Sequence, residues 1–230
     1  MSEPTGAPIE VVRHARARRA RLSVDPATGR VRLVLPPRAA LRPALAWAES
    51  KRAWIDAQQS RLPEARPFVP DATIPFGDTT LRIDWTERGA RTPMRDGERL
   101  CCGGPVERVP VRVERWLRGE ALARLSEATQ RYAARAGVHV SQVAIGDPRG
   151  RWGSCTASGA IRYSWRLILA PRFVLEATAA HEVAHRLHMD HSPAFHAAVR
   201  RLLDSDPAPA RAWLRAHGAA LHWYGRPSGS

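Results

Sequence analysis

Five of the nine histidines of this 230-residue chain fall between positions 181 and 196, and two of them bracket a glutamate as His181-Glu182-Val183-Ala184-His185. Only an α-helix puts residues i and i+4 on one face, roughly 6 Å apart along its axis, where two imidazoles converge on one ion at about 2.0–2.1 Å. Glu182 stands one residue off that line. From there its carboxylate reaches a water on the ion without displacing it, which is the placement a general base requires. The run of Phe173, Val174, Ala177 and Ala180 after Pro171 has the periodicity of the helix that carries these groups.

A catalytic zinc needs a third protein ligand, and His188, His191 and His196 are the candidates. His188 lies at i+7 from His181, about 10 Å along the axis, too far to share an ion while the helix stays regular. His191 follows His185 by six residues and precedes Ser192-Pro193, a good N-cap and N1 pair for a new helix. A turn at 188–190, with His188 able to take the positive φ that some turns need, carries His191 back under the ion. Metzincin proteases share this histidine spacing but need a methionine turn downstream. Here the methionines are Met1, Met94 and Met189, which excludes that family. A structural zinc site usually includes cysteine, and Cys101, Cys102 and Cys155 lack metal-type spacing. Their odd number, in a chain whose first residues do not resemble a secretory signal, predicts a cytoplasmic protein without disulfides.

The rest of the chain reads as α+β. Short alternating runs at 21–24 and 30–35 flank Asp25-Pro-Ala-Thr-Gly29, which has hairpin-loop residues. Leu41, Leu45, Ala48, Trp54 and Ile55 predict one long helix over 39–62, stopped by Pro63, Pro67 and Pro70. A second set of strands is expected between Ile74 and Val113, including Thr80–Trp85 and Val109–Val113. From Glu114 an amphipathic helix runs to Gly137. Strands follow at 139–145, 151–155 and 161–169, then the histidine helix and two more, starting at Pro193 and near Pro207. The expected division is a disordered N-terminus (1–9), a β-rich region with one long helix (10–112), an α+β domain (113–224) and a disordered tail (225–230).

Charge supplies a second functional reading. Thirty-six basic residues against 22 acidic ones give +14, and Lys51 is the only lysine. Residues 10–38 hold eight arginines against Glu10 and Asp25, or +6, and Arg16, Arg18, Arg19 and Arg21 are the candidates for contacting DNA or RNA. No stretch approaches the roughly 20 apolar residues of a membrane helix, so no membrane partner is expected.

Arg151-Trp-Gly-Ser-Cys155, Trp165-Arg-Leu-Ile-Leu-Ala-Pro171, His181-Glu182-x-x-His185 and His191-Ser192-x-x-Phe195 resemble, in order and spacing, the motifs of the YgjP-like metallopeptidase-domain family, with SprT-like proteases as distant relatives. The resemblance is densest from about 140 to 205. Arg18-Arg19-x-Arg21-Leu-Ser resembles the family's basic opening strand. Asp190, His196 and the small residues before the motif depart from it. It implies a zincin-like C-terminal half in which an active-site helix packs on a small sheet, with one zinc per chain on His181, His185 and His191 and Glu182 as base. The implied activity is hydrolysis of peptide bonds in a polypeptide substrate. Arg151, Trp152, Ser154 and Tyr163 are the candidates for binding that substrate. The alternative is a basic nucleic-acid-binding module with a structural or vestigial zinc site, or a protease that acts on DNA-associated proteins.

Overall fold

The structure is a computed structural model that describes residues 8–227. The chain divides into two compact units, residues 1–64 and 65–230. Of the termini expected to be disordered, residues 1–7 and 228–230 lie outside the described residues. Ile9 is already paired with Val31, and the Gly225 N–H donates to the Arg66 carbonyl at 2.8 Å.

In the first unit β1 (Ile9–Arg13), β2 (Arg21–Val24) and β3 (Val31–Leu35) form a sheet of order β1-β3-β2. β3 runs parallel to β1 and antiparallel to β2. The alternation of β3 sends Val31, Leu33 and Leu35 inward and leaves Arg32 exposed. The Asp25–Gly29 loop closes the hairpin, with the Asp25 carboxylate accepting from the Ala27 N–H and Gly29 in the left-handed region at φ 73°. One correction concerns the helix. Instead of one long helix there are two, α1 (Leu41–Glu49) and α2 (Arg52–Gln59). The break falls at Ser50-Lys51, where the Ser50 hydroxyl donates to the Trp47 carbonyl and competes with the backbone ladder.

In the second unit β4 (Thr73–Phe76), β5 (Thr79–Thr86), β6 (Met94–Asp96) and β7 (Arg99–Gly103) form a sheet of order β4-β5-β7-β6. α3 (Val109–Ala136) follows and ends on Gly137, left-handed at φ 65°. The expected strand at 109–113 is its first turn. Val109 and Val113 are buried while Val111 is exposed, so the valines follow i, i+4 and not i, i+2, and Pro110 fits a position whose N–H needs no helical partner. The unit boundary therefore lies at 64/65, whereas a cut at 112/113 would fall inside α3. Ile74, Phe76, Leu81, Ile83 and Leu100 share one core with Val113, Leu117, Ala121 and Leu125.

The sheet that frames the site has β8 (Gln142–Gly146), β9 (Gly153–Cys155) and β10 (Ala160–Ser164) in the order β8-β10-β9, so β9 is an edge. β10 is parallel to β8 and antiparallel to β9. The strand expected over 161–169 ends at Ser164, whose side chain caps a 3-10 turn over Trp165–Leu169. α4 (Arg172–Ala184), α5 (Pro193–Leu203) and α6 (Ala208–Leu221) complete the unit. The result is α+β, with α4 packed against the edge strand β9 of a small sheet. Among the described residues no helix is long and apolar enough to cross a membrane.

Candidate metal centre

α4 carries the first two site residues through the middle of the unit. Val174, Leu175, Ala177, Thr178, Ala179, Ala180, Val183 and Ala184 are all buried, and the short side chains let α3 and α5 pack closely around it. The Asp78 carboxylate accepts from the Arg172 N–H at 2.9 Å, supplying a partner at the helix start. His185 follows as the C-cap of the helix, still in right-handed conformation. The chain then turns, the N–H groups of Arg186 and Leu187 donating to the carbonyls of Val183 and Ala184 at 2.9 and 3.0 Å. Among the described residues only Asp71 and Asp204 are non-glycine with positive φ, so the turn is made without the left-handed His188 anticipated from the spacing. An Asp190 carboxylate oxygen accepts from the Ser192 N–H at 3.2 Å, and the Ser192 hydroxyl from the Phe195 N–H at 3.3 Å, starting α5.

This path brings His191 onto the two helix histidines. One ligating atom from each of His181, His185 and His191 lies within 4.8 Å of the others. The Nε2 atoms of His181 and His191 are 3.3 Å apart. Two nitrogens bound to one tetrahedral zinc at 2.0–2.1 Å stand ~3.3 Å apart, so this pair already has the spacing an ion requires. The Phe195 ring supports the three imidazoles from one side, its centroid 4.9, 4.5 and 4.8 Å from those of His181, His185 and His191. The Nδ1 of His185 is 3.2 Å from the His188 carbonyl, and donating to it leaves Nε2 free as a ligand. His188 thus acts through its backbone. Burial, with smaller contributions from His185, His191, His196 and Arg211, pulls the His181 pKa down to about 4 and favours the neutral form that binds metal. Burial lowers His185 as well, more than its carbonyl partner raises it. Three imidazole nitrogens without a cysteine among them fit a zinc with an open position better than a closed structural site.

Glu182 lies beside this cluster, 5% exposed, with its carboxylate against the backbone of the edge strand. A Cβ built on Gly153 would be 2.4 Å from its Oε1 and 2.7 Å from its Cδ, so glycine is needed there for the approach. Burial pushes the Glu182 pKa up to about 7 against a smaller downward pull from Arg151.

The sequence profile of the family described as YgjP-like, metallopeptidase domain matches residues 18–217 of the 230. The chain belongs to the YgjP-like metallopeptidase-domain family. No curated protein and no solved structure matches it.

In this YgjP-like domain the residues singled out for substrate divide. Arg151 and Trp152 line a cavity of about 260 Å³ together with Gly153, His181 and Glu182. Ser154 lies outside that lining. Tyr163 requires a correction: it is fully buried, and its hydroxyl is 2.8 Å from the Thr129 hydroxyl. It is a core residue whose phenol pKa is raised by burial, because the inward face of β10 meets α3. The rest of the lining comes from Ala177, Thr178, Val199, Pro207, Ala210, Arg211 and Leu214, which sequence reading missed, and from His196, which is placed here and not in the group of three converging imidazoles. Gly153, inside a strand, was the one local signal of a close approach. Arg16, Arg18, Arg19 and Arg21 are exposed on the first unit, between β1 and the start of β2.

Proposed function

We propose that this protein is a zinc-dependent metallopeptidase. His181, His185 and His191 hold the ion, and Glu182 is the general base. The observation that carries this reading is the convergence of three imidazole nitrogens within 4.8 Å beside a buried carboxylate whose pKa is about 7. A zinc ion held there supplies Lewis acidity, polarising a carbonyl and lowering the pKa of a water.

The chain's own residues do the rest. Glu182, poised near neutrality, takes a proton from the attacking water and returns it to the leaving amine. Gly153 keeps the Glu182 carboxylate aimed by leaving room for it. The free edge of β9 pairs with an extended peptide as an additional strand, which aligns a substrate through its backbone and tolerates varied sequences. The four exposed arginines of the first unit support a second, separable property, binding of DNA or RNA.

The test is elemental analysis of the purified protein and its variants, together with digestion of an unfolded protein. One zinc per chain, lost in His185→Ala and His191→Ala, with hydrolysis abolished by Glu182→Gln while zinc is retained, is the expected result. Hydrolysis that survives Glu182→Gln removes the base. Nucleic-acid binding, if present, weakens steeply with salt and survives Glu182→Gln, and such binding without hydrolysis under any condition replaces the peptidase reading with the basic module.

A further inference from the structure

The cavity beside Glu182 has a chemical character that neither the histidine cluster nor the edge strand explains. Its walls are mainly apolar, from Trp152 just ahead of β9, Pro207 just ahead of α6, and Ala177, Val199, Ala210 and Leu214 on three helices, with Thr178 and His196 adding polar groups. Trp152 is pinned: a Cβ on Gly218 of α6 would be 2.7 Å from its Cζ2, and its ring centroid is 5.5 Å from that of His222. At about 260 Å³ the space is below the roughly 300–1,000 Å³ of sites that enclose a whole small-molecule ligand, and it suits one side chain. The Thr178 hydroxyl is already donated to the Val174 carbonyl at 2.8 Å, and the mainly apolar walls favour an apolar occupant over a polar one, which would lose its water there.

Two cations, Arg151 and Arg211, are exposed and line the same cavity. Neither makes an ion pair within 4.0 Å among the described residues, and Arg151 is the cation that faces Glu182 across the cavity. The carboxylate of Glu182 is the sole acidic group in the lining. The mouth therefore carries two cations against one carboxyl group, a net positive charge, next to a mainly apolar interior.

We propose that this cavity is the specificity pocket of the site, and that it selects peptides with a medium-sized apolar side chain next to the scissile bond and a carboxylate within reach of Arg151 and Arg211. This rests on the peptidase reading above. The carboxylate belongs either to an aspartate or glutamate side chain or to the C-terminus of the peptide.

The test uses the full-length zinc-loaded protein and N-acetylated peptides that carry leucine, methionine, phenylalanine, glycine or lysine at the varied position. Each is followed by aspartate, lysine or a neutral residue, and ends as a free acid or an amide. Cleavage is quantified by mass spectrometry, and binding of the same peptides to Glu182→Gln by calorimetry. Apolar-acidic peptides are expected to exceed glycine-acidic and apolar-lysine peptides by about tenfold or more in kcat/KM, the scale a hydrophobic pocket provides. Binding to Glu182→Gln is expected in the same order. Arg211→Glu, a change on the exposed face of α6, is expected to reverse the acid-over-lysine order, and Ala210→Phe to remove the advantage of large apolar side chains. A preference lost on amidation assigns the carboxylate to the terminus, and one that persists assigns it to a side chain. A flat profile, or an acid-over-lysine order unchanged in Arg211→Glu, overturns the pocket. If the wild type cleaves no peptide, the peptidase reading fails separately. The binding series then decides the pocket alone, the predicted ranking sustaining it and equal affinities overturning it.

Discussion

Arg186 donates from Nη1 to the Ala157 carbonyl at 2.7 Å, tying the turn after α4 to the loop between β9 and β10. Its Nε reaches the His139 carbonyl at 3.2 Å. The turn that returns His191 to the cluster is thus anchored to the segments flanking the sheet by one side chain that is not itself a metal ligand.

Arg186→Ala should therefore weaken zinc binding by about 10–100-fold, the range for groups that orient ligands without binding metal. His191→Ala should weaken it further, and His188→Ala only slightly, since His188 contributes its carbonyl. Competition with a chromogenic chelator measures all three. Equal affinities for Arg186→Ala and wild type would show that the turn holds His191 unaided.

Gly153→Ala places a methyl where the Glu182 carboxylate lies, 2.4 Å from Oε1. The carboxylate must move, because the alternative is displacement of a paired strand. Zinc content should stay at the wild-type level while kcat falls at least tenfold, with a stability cost of about 1–3 kcal/mol from overpacking. Unaltered kcat with intact zinc would mean that the position of Glu182 does not matter to the reaction.

The parts of this molecule legible in the sequence are those fixed locally. Gly137 ends α3, Ser192 caps α5, Asp25–Gly29 closes a hairpin, and the 181/185 spacing requires a helix. What escaped depends on contacts distant in sequence. Val109, Val111 and Val113 alternate like a strand, and only the core of the second unit decides that 109 and 113 point inward together. Tyr163 lies on the strand expected over 161–169, among the candidates for binding substrate, yet α3 covers it through Thr129. Arg211 and Ala210 reach the cavity because α6 folds back beside α4, which no local pattern announces.

Arg166 is only 9% exposed and makes a two-point contact with Asp147, Nε to Oδ1 at 2.7 Å and Nη2 to Oδ2 at 2.9 Å. Its Nη1 donates to the carbonyls of Leu221 and Tyr224 at 2.7 and 3.0 Å, joining the chain ahead of Arg151 and Trp152 to the end of α6. Arg166→Met leaves the carbonyls of Leu221 and Tyr224 without their buried donor and takes the main partner from the Asp147 carboxylate, which is one-third exposed and keeps His222 Nδ1 at 3.9 Å, a loss of about 1–3 kcal/mol. Arg166→Lys should recover little, since an ammonium cannot reproduce the fork. Burial raises the Asp147 pKa, but Arg166 outweighs it and holds the group below the usual carboxylate range. Its stabilisation is accordingly present above that range and lost as pH falls through the lowered value. Urea unfolding of both variants at neutral and acid pH gives the magnitudes, and a wild-type-like Arg166→Lys would show that the fork geometry is dispensable.

Two groups of the site titrate in opposite senses in the metal-free protein. Glu182, raised from 4.5 to about 7, holds its proton more tightly when folded, so its stabilisation is full below pH 4.5 and is lost as pH rises to 7. His181, lowered from 6.5 to about 4, prefers to be neutral when folded, so its contribution is full above pH 6.5 and is lost as pH falls to 4. Between 4.5 and 6.5 these two contributions oppose each other; above it only that of Glu182 still falls with rising pH, and below it only that of His181 still falls with falling pH. Glu182→Gln removes only the alkaline decline. At pH 8 in chelator, this variant should exceed wild type in unfolding free energy by on the order of 2–3 kcal/mol, and that excess should disappear by pH 4.5. Urea titrations followed by tryptophan fluorescence at the two pH values measure the difference, in which every other titrating group cancels. A constant offset between variant and wild type across this range would mean that Glu182 is ionised in the folded chain throughout, and that burial does not prepare it to exchange a proton near neutrality.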